Sequence, residues 1–367
     1  MKKCFLLPSL ILVCICCHSV FGQYQFTNDI KLNCTSVKSQ DQTGTCWSFS
    51  TSSFLESELM RMGKGEYDLS EMFIVRNIYM DKARNYLLRQ GKANFSQGSL
   101  AHDVIRAFSM FGVVPESVFA GKAAEAKHDH GEMEVGLKGF LDGILTQKKI
   151  SPKWKPAVSA ILDAYFGAVP ESFQVGSKKF TAESFAASFQ INPDDYVSIT
   201  SFTHHPFYEK FILEIPDNYS NGSFYNVPLD ELERIVDNAL KKGYSISWDG
   251  DVSEKGFSAK NGVAIMPAAP EREDLFQKPG KEINVTQDNR QEAFESLLTT
   301  DDHLMHLVGT ARDQAGNKYY LIKNSWGEVS DYKGFLYMSA AYFRMKTISV
   351  LVHKNAIPED LSKKMGV

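Results

Sequence analysis

Apolar positions recur at helical spacing through the first half of the chain and alternate, or run in β-branched blocks, through the second. Phe54, Leu55, Leu59 and Met62 fall on one face of a helix over 46–63, closed by Gly63 and Gly65. Ser70 is placed to cap a second helix reaching about Gln90, and a third runs from about Leu100 to Phe111 and stops at Gly112. Short helical patterns follow at Pro156 to Phe166 and Ala182 to Phe189, in a stretch rich in Lys, Glu and Ala. From Tyr196 the period changes. Strand-like runs lie at 211–215, 262–266, 307–310, 319–322 and 348–352, interrupted by a helix from Leu229 to Lys242. Helices first and strands afterwards predict an α+β fold of two lobes.

Composition narrows the class. Of 367 residues, 43% are hydrophobic, with 25 Phe and 15 Tyr, enough to build a large core and too much for a disordered chain. A formal charge of −4 excludes a strongly basic nucleic-acid binder, so no nucleic acid is expected as partner. Four of the six cysteines (Cys4, Cys14, Cys16, Cys17) fall within Met1–Gly22, where Lys2 and Lys3 precede an apolar run and small or neutral residues close it. That layout predicts a signal peptide over 1–22, too short to span a membrane, and an exported chain over 23–367 with charge −6 once the two lysines leave. A lipid anchor on Cys16 or Cys17 is the alternative, disfavoured by the bulky residues before them. No further stretch is long enough for a membrane span, and Cys34 and Cys46 remain, too few for a disulfide framework.

Cys46 lies in Gln40-Asp41-Gln42-Thr43-Gly44-Thr45-Cys46-Trp47-Ser48-Phe49-Ser50, where the first helix begins. A thiol there feels the positive end of the helix dipole, which favours thiolate. The bland reading is a buried cysteine acting as a small hydrophobe. Potential partners lie far downstream. His303 precedes one strand, and Asn324, 21 residues on, ends the next. An antiparallel pairing makes them neighbours, so that the asparagine fixes the imidazole tautomer and leaves the other ring nitrogen for the thiol. Trp326 can shield that hydrogen bond, and Gln40 can place its amide beside the Cys46 N–H as an oxyanion hole. No cofactor is called for. His128-Asp129-His130 and His204-His205 lack further ligands at standard spacing and are expected to be surface or loop histidines rather than metal ligands.

Gln40, Cys46-Trp47 with Phe49-Ser50, His303 and Asn324-Ser325-Trp326-Gly327, in that order, resemble the papain-like cysteine peptidases. The local signature is broken at Thr43 and Thr45. The 257 residues between Cys46 and His303 exceed the papain spacing of about 130–150 by about a hundred. The text of that excess resembles the bleomycin hydrolase and aminopeptidase C branch, at 191–198, 225–232 and 249–252. The resemblance implies a papain-like fold, a helical left lobe and a β-rich right lobe, with a mainly helical family-specific insertion at about 120–200 and a C-terminal tail at 354–367. It implies peptide-bond hydrolysis through a thioester acyl-enzyme, with Cys46 as nucleophile, His303 as base in preference to His306, Asn324 as orienter and Gln40 as oxyanion donor. Gly98, Ser99 and Trp326 take substrate-binding roles, and no metal or cofactor is used. The partners it implies are short peptides and further copies of the chain, as a hexamer. Aminopeptidase activity is expected. An endopeptidase is the alternative, since the tail is short for the family, and a non-catalytic binding protein or an acyltransferase of the same fold are the others.

Overall fold

In a computed structural model of the chain, residues 24–367 are described. The 1–22 segment, with its export, lipid-anchor and four-cysteine readings, lies outside the described residues. The first three helices form where the periodicity placed them: α1 over Cys46–Arg61, α2 over Glu71–Leu88 and α3 over Ala101–Phe111. Ser70 caps α2, its hydroxyl accepting from the Phe73 N–H at 3.0 Å. Gly112 ends α3 with φ of 74°, and a Cβ there would meet the Ala182 backbone. Helices Gly131–Leu145, Trp154–Phe166 and Ala182–Phe189 and a small hairpin (Phe173–Val175 with Lys178–Phe180) occupy most of 120–200. They join α1–α3 in one apolar core, pinned by Arg76 of α2 on Asp163.

The second lobe is a mixed, mainly antiparallel sheet. Its centre runs Tyr196–Thr200, Thr347–His353, Ile246–Gly250, His303–Asp313, Lys318–Lys323 and Phe335–Ser339 in spatial order. Strand Phe26–Lys31 adds to His303–Asp313, tying the start of the described chain to its last third. Helix Leu229–Lys241 buries Leu232, Ile235, Val236 and Ala239 on the sheet core, a clean amphipathic face. The α+β, papain-like two-lobe arrangement expected from the pattern is the arrangement present.

Helix α1 is the spine between the lobes. It is buried along nearly its whole length, although serines and threonines fill much of it. Those hydroxyls are paired: Ser50 and Thr51 with Ser247, Ser53 with His306 Nδ1 at 2.8 Å, and Ser48 with the Glu71 carbonyl. Buried polar groups that find partners fix one helix position instead of several. His306 is thereby a sheet residue bonded to α1.

Candidate active site

Thr45 precedes α1 and its side chain makes no capping hydrogen bond, which leaves the helix N-terminus open at Cys46. The loop before it is braced internally. Thr43 Oγ1 donates to the Gln40 carbonyl at 2.7 Å, Gly44 N–H to Gln97 Oε1 at 2.7 Å, and Trp47 Nε1 to the Gln97 carbonyl at 2.9 Å. The last two bonds bring Gly98 and Ser99 alongside Cys46.

From the sheet side, His303 opens its strand and Asn324 follows the adjacent one. The register pairs His306 with Lys323, so the two residues meet just past the end of that ladder. His303 Nε2–H donates to Asn324 Oδ1 at 2.7 Å, and the Ser325 N–H donates to the same oxygen at 2.7 Å. Because an amide oxygen only accepts, this bond puts the ring proton on Nε2 and leaves a lone pair on Nδ1. Trp326 lies against the imidazole with ring centroids 4.6 Å apart. Leu304 N–H points at Cys46 Sγ at 3.5 Å, bringing the histidine strand onto the thiol.

A cleft of about 330 Å³ holds Cys46, His303, Gln40, Gly98, Ser99 and Trp326 in its lining, so the residues singled out from the sequence converge on one space. Asn324 stands behind His303. Two details differ from expectation. Gln40 is anchored at both ends of its amide: Nε2 donates to the Thr43 carbonyl at 2.6 Å, and Oε1 accepts from Ser325 Oγ at 2.7 Å. One Nε2 hydrogen is left. Ser99 turns inward, its hydroxyl on Asp103 Oδ2 at 2.7 Å at the start of α3, so it offers the cleft its backbone only. The sequence reasoning missed Asp217, Asp301 and Asp302, which line the same cleft. Asp301-Asp302 immediately before His303 was the available signal.

Burial opposes charge on both reacting groups. It pushes the Cys46 thiol up to about 12, against the Leu304 N–H and with help from Asp301, Asp217 and Asp249. It pulls His303 down to about 4, against the Asn324 hydrogen bond. Burial therefore works against the helix end that favours thiolate and the Asn324 hydrogen bond that favours imidazolium. Cys34 and Cys46 are both free.

Of the histidines expected on the surface or in loops, His128 and His130 lie in a loop but not at the surface. His128 and His130 are buried at 6% and 3% exposure among Phe49, Tyr79 and Phe166. His204 and His205 do lie outward, with Nε2 atoms 3.2 and 2.7 Å from the two Glu214 oxygens, a third potential ligand that sequence spacing did not reveal. Residues 354–367 form a short turn and the helix Glu359–Met365, whose Leu361 and Met365 enter the sheet-side core with Val367 packed against it. Among the described residues no helix is long and apolar enough to cross a membrane.

Comparison with known proteins agrees with this geometry. The model of the Peptidase C1-like family matches residues 171–366, and that of the papain family cysteine proteases matches 25–83. Aminopeptidase G of Lactobacillus delbrueckii subsp. lactis is 24% identical over 93% of this chain and 86% of its own length. Cysteine proteinase 1, mitochondrial, of Saccharomyces cerevisiae is 21% identical over 92% and 79%. The crystal structure of PepW from Lactobacillus rhamnosis HN001 superposes with a TM-score of 0.75 at 19% identity, covering 93% of this chain and 84% of that one. These relatives overturn the export read from residues 1–22: the one whose name states a compartment is mitochondrial. The chain belongs to the Peptidase C1-like family and is a papain-like, cysteine-type peptidase of the aminopeptidase C branch.

Proposed function

We propose that the chain hydrolyses peptide bonds through a thioester on Cys46, acting on short peptides as an aminopeptidase. The observation that carries the reading is the His303 tautomer. With its proton held on Nε2 by Asn324, the imidazole keeps Nδ1 basic in the cleft that holds Cys46.

His303 takes the thiol proton as Cys46 Sγ attacks the carbonyl carbon. The tetrahedral oxyanion is met by the Cys46 N–H at the open helix end and the remaining Gln40 Nε2 hydrogen. The intermediate collapses as the C–N bond breaks, and the histidinium gives its proton to the leaving amine. Water then attacks the thioester while His303 takes one of its protons. The acid leaves, and the proton returns to the thiolate.

An endopeptidase reading is favoured by one observation, the packing of residues 359–367 away from the cleft. Val367 N–H donates to the Ser362 carbonyl at 3.1 Å, and Arg234 holds Asp360 in a bidentate pair at 2.7 Å, so the tail is engaged on the sheet side and does not line the cleft. Matched peptides with free and acetylated N-termini separate the readings. An aminopeptidase cleaves only the free ones, whereas equal rates establish an endopeptidase. Hydrolysis that survives Cys46→Ala sinks both.

A further inference from the structure

Two stretches of chain meet beside the thiol, and one side chain joins them. Residues 40–46 carry both proposed oxyanion donors, Gln40 Nε2 and the Cys46 N–H. The start of that loop is tied down: the Gln40 N–H donates to the Ser325 carbonyl at 2.9 Å, and the Gln42 N–H to the His128 carbonyl at 3.0 Å. Its end is held by α1. Between them, residues 43–45 make one hydrogen bond to the chain beyond 40–49 among the described residues. The Gly44 N–H donates to Gln97 Oε1 at 2.7 Å. The other bonds of 43–45 stay inside the loop and the first turn of α1.

That bond acts on a single peptide group. The Thr43 carbonyl accepts from Gln40 Nε2 at 2.6 Å, and the N–H of the same peptide, on Gly44, donates to Gln97. A peptide is planar, so its C=O and N–H turn together. Turning the plane away from Gln97 also takes the carbonyl from Gln40 Nε2. Ser325 Oγ, which donates to Gln40 Oε1 at 2.7 Å, would then hold the amide at its other end only. Glycine makes such a turn easy, because without a Cβ its backbone has the widest choice of conformation. A side chain is not readily added there: a Cβ on Gly44 would come 3.1 Å from the Gln97 Cβ. Gln97 can impose an orientation because its own backbone is fixed. Its carbonyl accepts from Trp47 Nε1 at 2.9 Å, and the buried Lys82 ammonium holds the carbonyls on either side, those of Ser96 and Gly98.

Resting on the peptidase reading, we infer that Gln97 is a positioning residue for the oxyanion hole: through the Gly44 N–H it locks the Thr43–Gly44 peptide, and that peptide aims Gln40 Nε2. Its action reaches the oxyanion only through Gln40.

The test is a double-mutant cycle read by steady-state hydrolysis of a short peptide. Gln97→Leu keeps the bulk of the side chain and removes the acceptor. Its kcat is expected to fall about 10- to 100-fold with KM little changed, because the lost alignment matters only once the oxyanion forms. Gln97→Glu still presents an oxygen to the Gly44 N–H and recovers most of the rate. In the Gln40→Ala background, Gln97→Leu costs no more than about twofold, since the group it positions is gone. Equal losses in both backgrounds point to a general structural role and overturn the inference, as does full activity of Gln97→Leu. A crystal structure of Gln97→Leu checks the geometry without turnover. The Thr43–Gly44 peptide is expected to have turned and Gln40 Nε2 to have left the Thr43 carbonyl, whereas an unmoved peptide and amide overturn the inference. Should Gln97→Leu not fold, Gln97→Ala takes its place in both measurements. Hydrolysis untouched by the substitution defeats only this inference. An unsubstituted enzyme that hydrolyses no peptide defeats the peptidase reading, and the crystal structure then decides whether Gln97 positions Gln40.

Discussion

The two ends of the cleft are built on opposite terms. At the Cys46–His303 end, hydrogen bonds set the geometry: Asn324 Oδ1 takes two N–H groups while its Nδ2 is buried without a partner, and Gln40 is gripped at both its oxygen and its nitrogen. At the other end, Asp217, Asp301 and Asp302 line the cleft, and Asp301 is hydrogen-bonded to the buried Asp249 behind it. The first arrangement fixes one orientation and one tautomer. The second gathers carboxyl groups, of which the buried pair is hydrogen-bonded to itself. The comparison teaches that matched donors and acceptors fix an orientation, whereas crowded carboxyls are reconciled by retaining protons.

The contrast breaks most visibly at the Cys46–His303 end. His303→Ala removes the proposed general base, and kcat for peptide hydrolysis is expected to fall by about 10²–10⁴-fold. Gln40→Ala removes one oxyanion donor and should cost about 10²–10³-fold in kcat, with KM little changed, in steady-state assays. Asn324→Ala frees the imidazole to turn, for a loss of up to about 10²-fold, and its thermal midpoint reports whether the fold is intact.

Smaller effects sharpen the acidic end. Asp249 has its pKa raised on folding, so the folded state binds more protons than the unfolded one between about pH 4 and about 7, and its contribution to stability is lost as pH rises through that window. Asp249→Asn is therefore expected to raise the melting temperature at pH 8 by a few degrees, and by less at pH 5, in calorimetric scans. An equal shift at both pH values would show that the carboxyl is not strained. Gly98→Ala should have the mildest effect. The new methyl displaces Asp217 while His303 and Asn324 stay in register, and a crystal structure of the variant checks both.

The same division governs what was legible in the sequence. Cys46, His303, Asn324 and Gln40 lie in short runs whose residue types declare their chemistry, and the chain brings them together by ordinary strand pairing. Helix ends were legible where a cap was local, as at Ser70 and Gly112. The acidic end was not, because Asp217 meets Gly98 only through tertiary packing, and Asp249 sits in a strand where a polar residue reads as an outward position. The burial of Cys46 was not legible for a related reason: helix position is local and visible, whereas burial belongs to the folded cleft. The paired serines of α1 likewise read as an indifferent helix face, since their partners Ser247 and His306 are far along the chain.

The central claim, that the Cys46 thiol is the nucleophile, is tested most directly by stoichiometric alkylation. The enzyme is treated with limiting iodoacetamide, and residual peptide hydrolysis is compared with carbamidomethylation at each cysteine by peptide mass mapping. Activity is predicted to fall in one-to-one proportion to modification of Cys46, whatever the state of Cys34. Activity that persists with Cys46 fully modified, or that follows Cys34 instead, would contradict it.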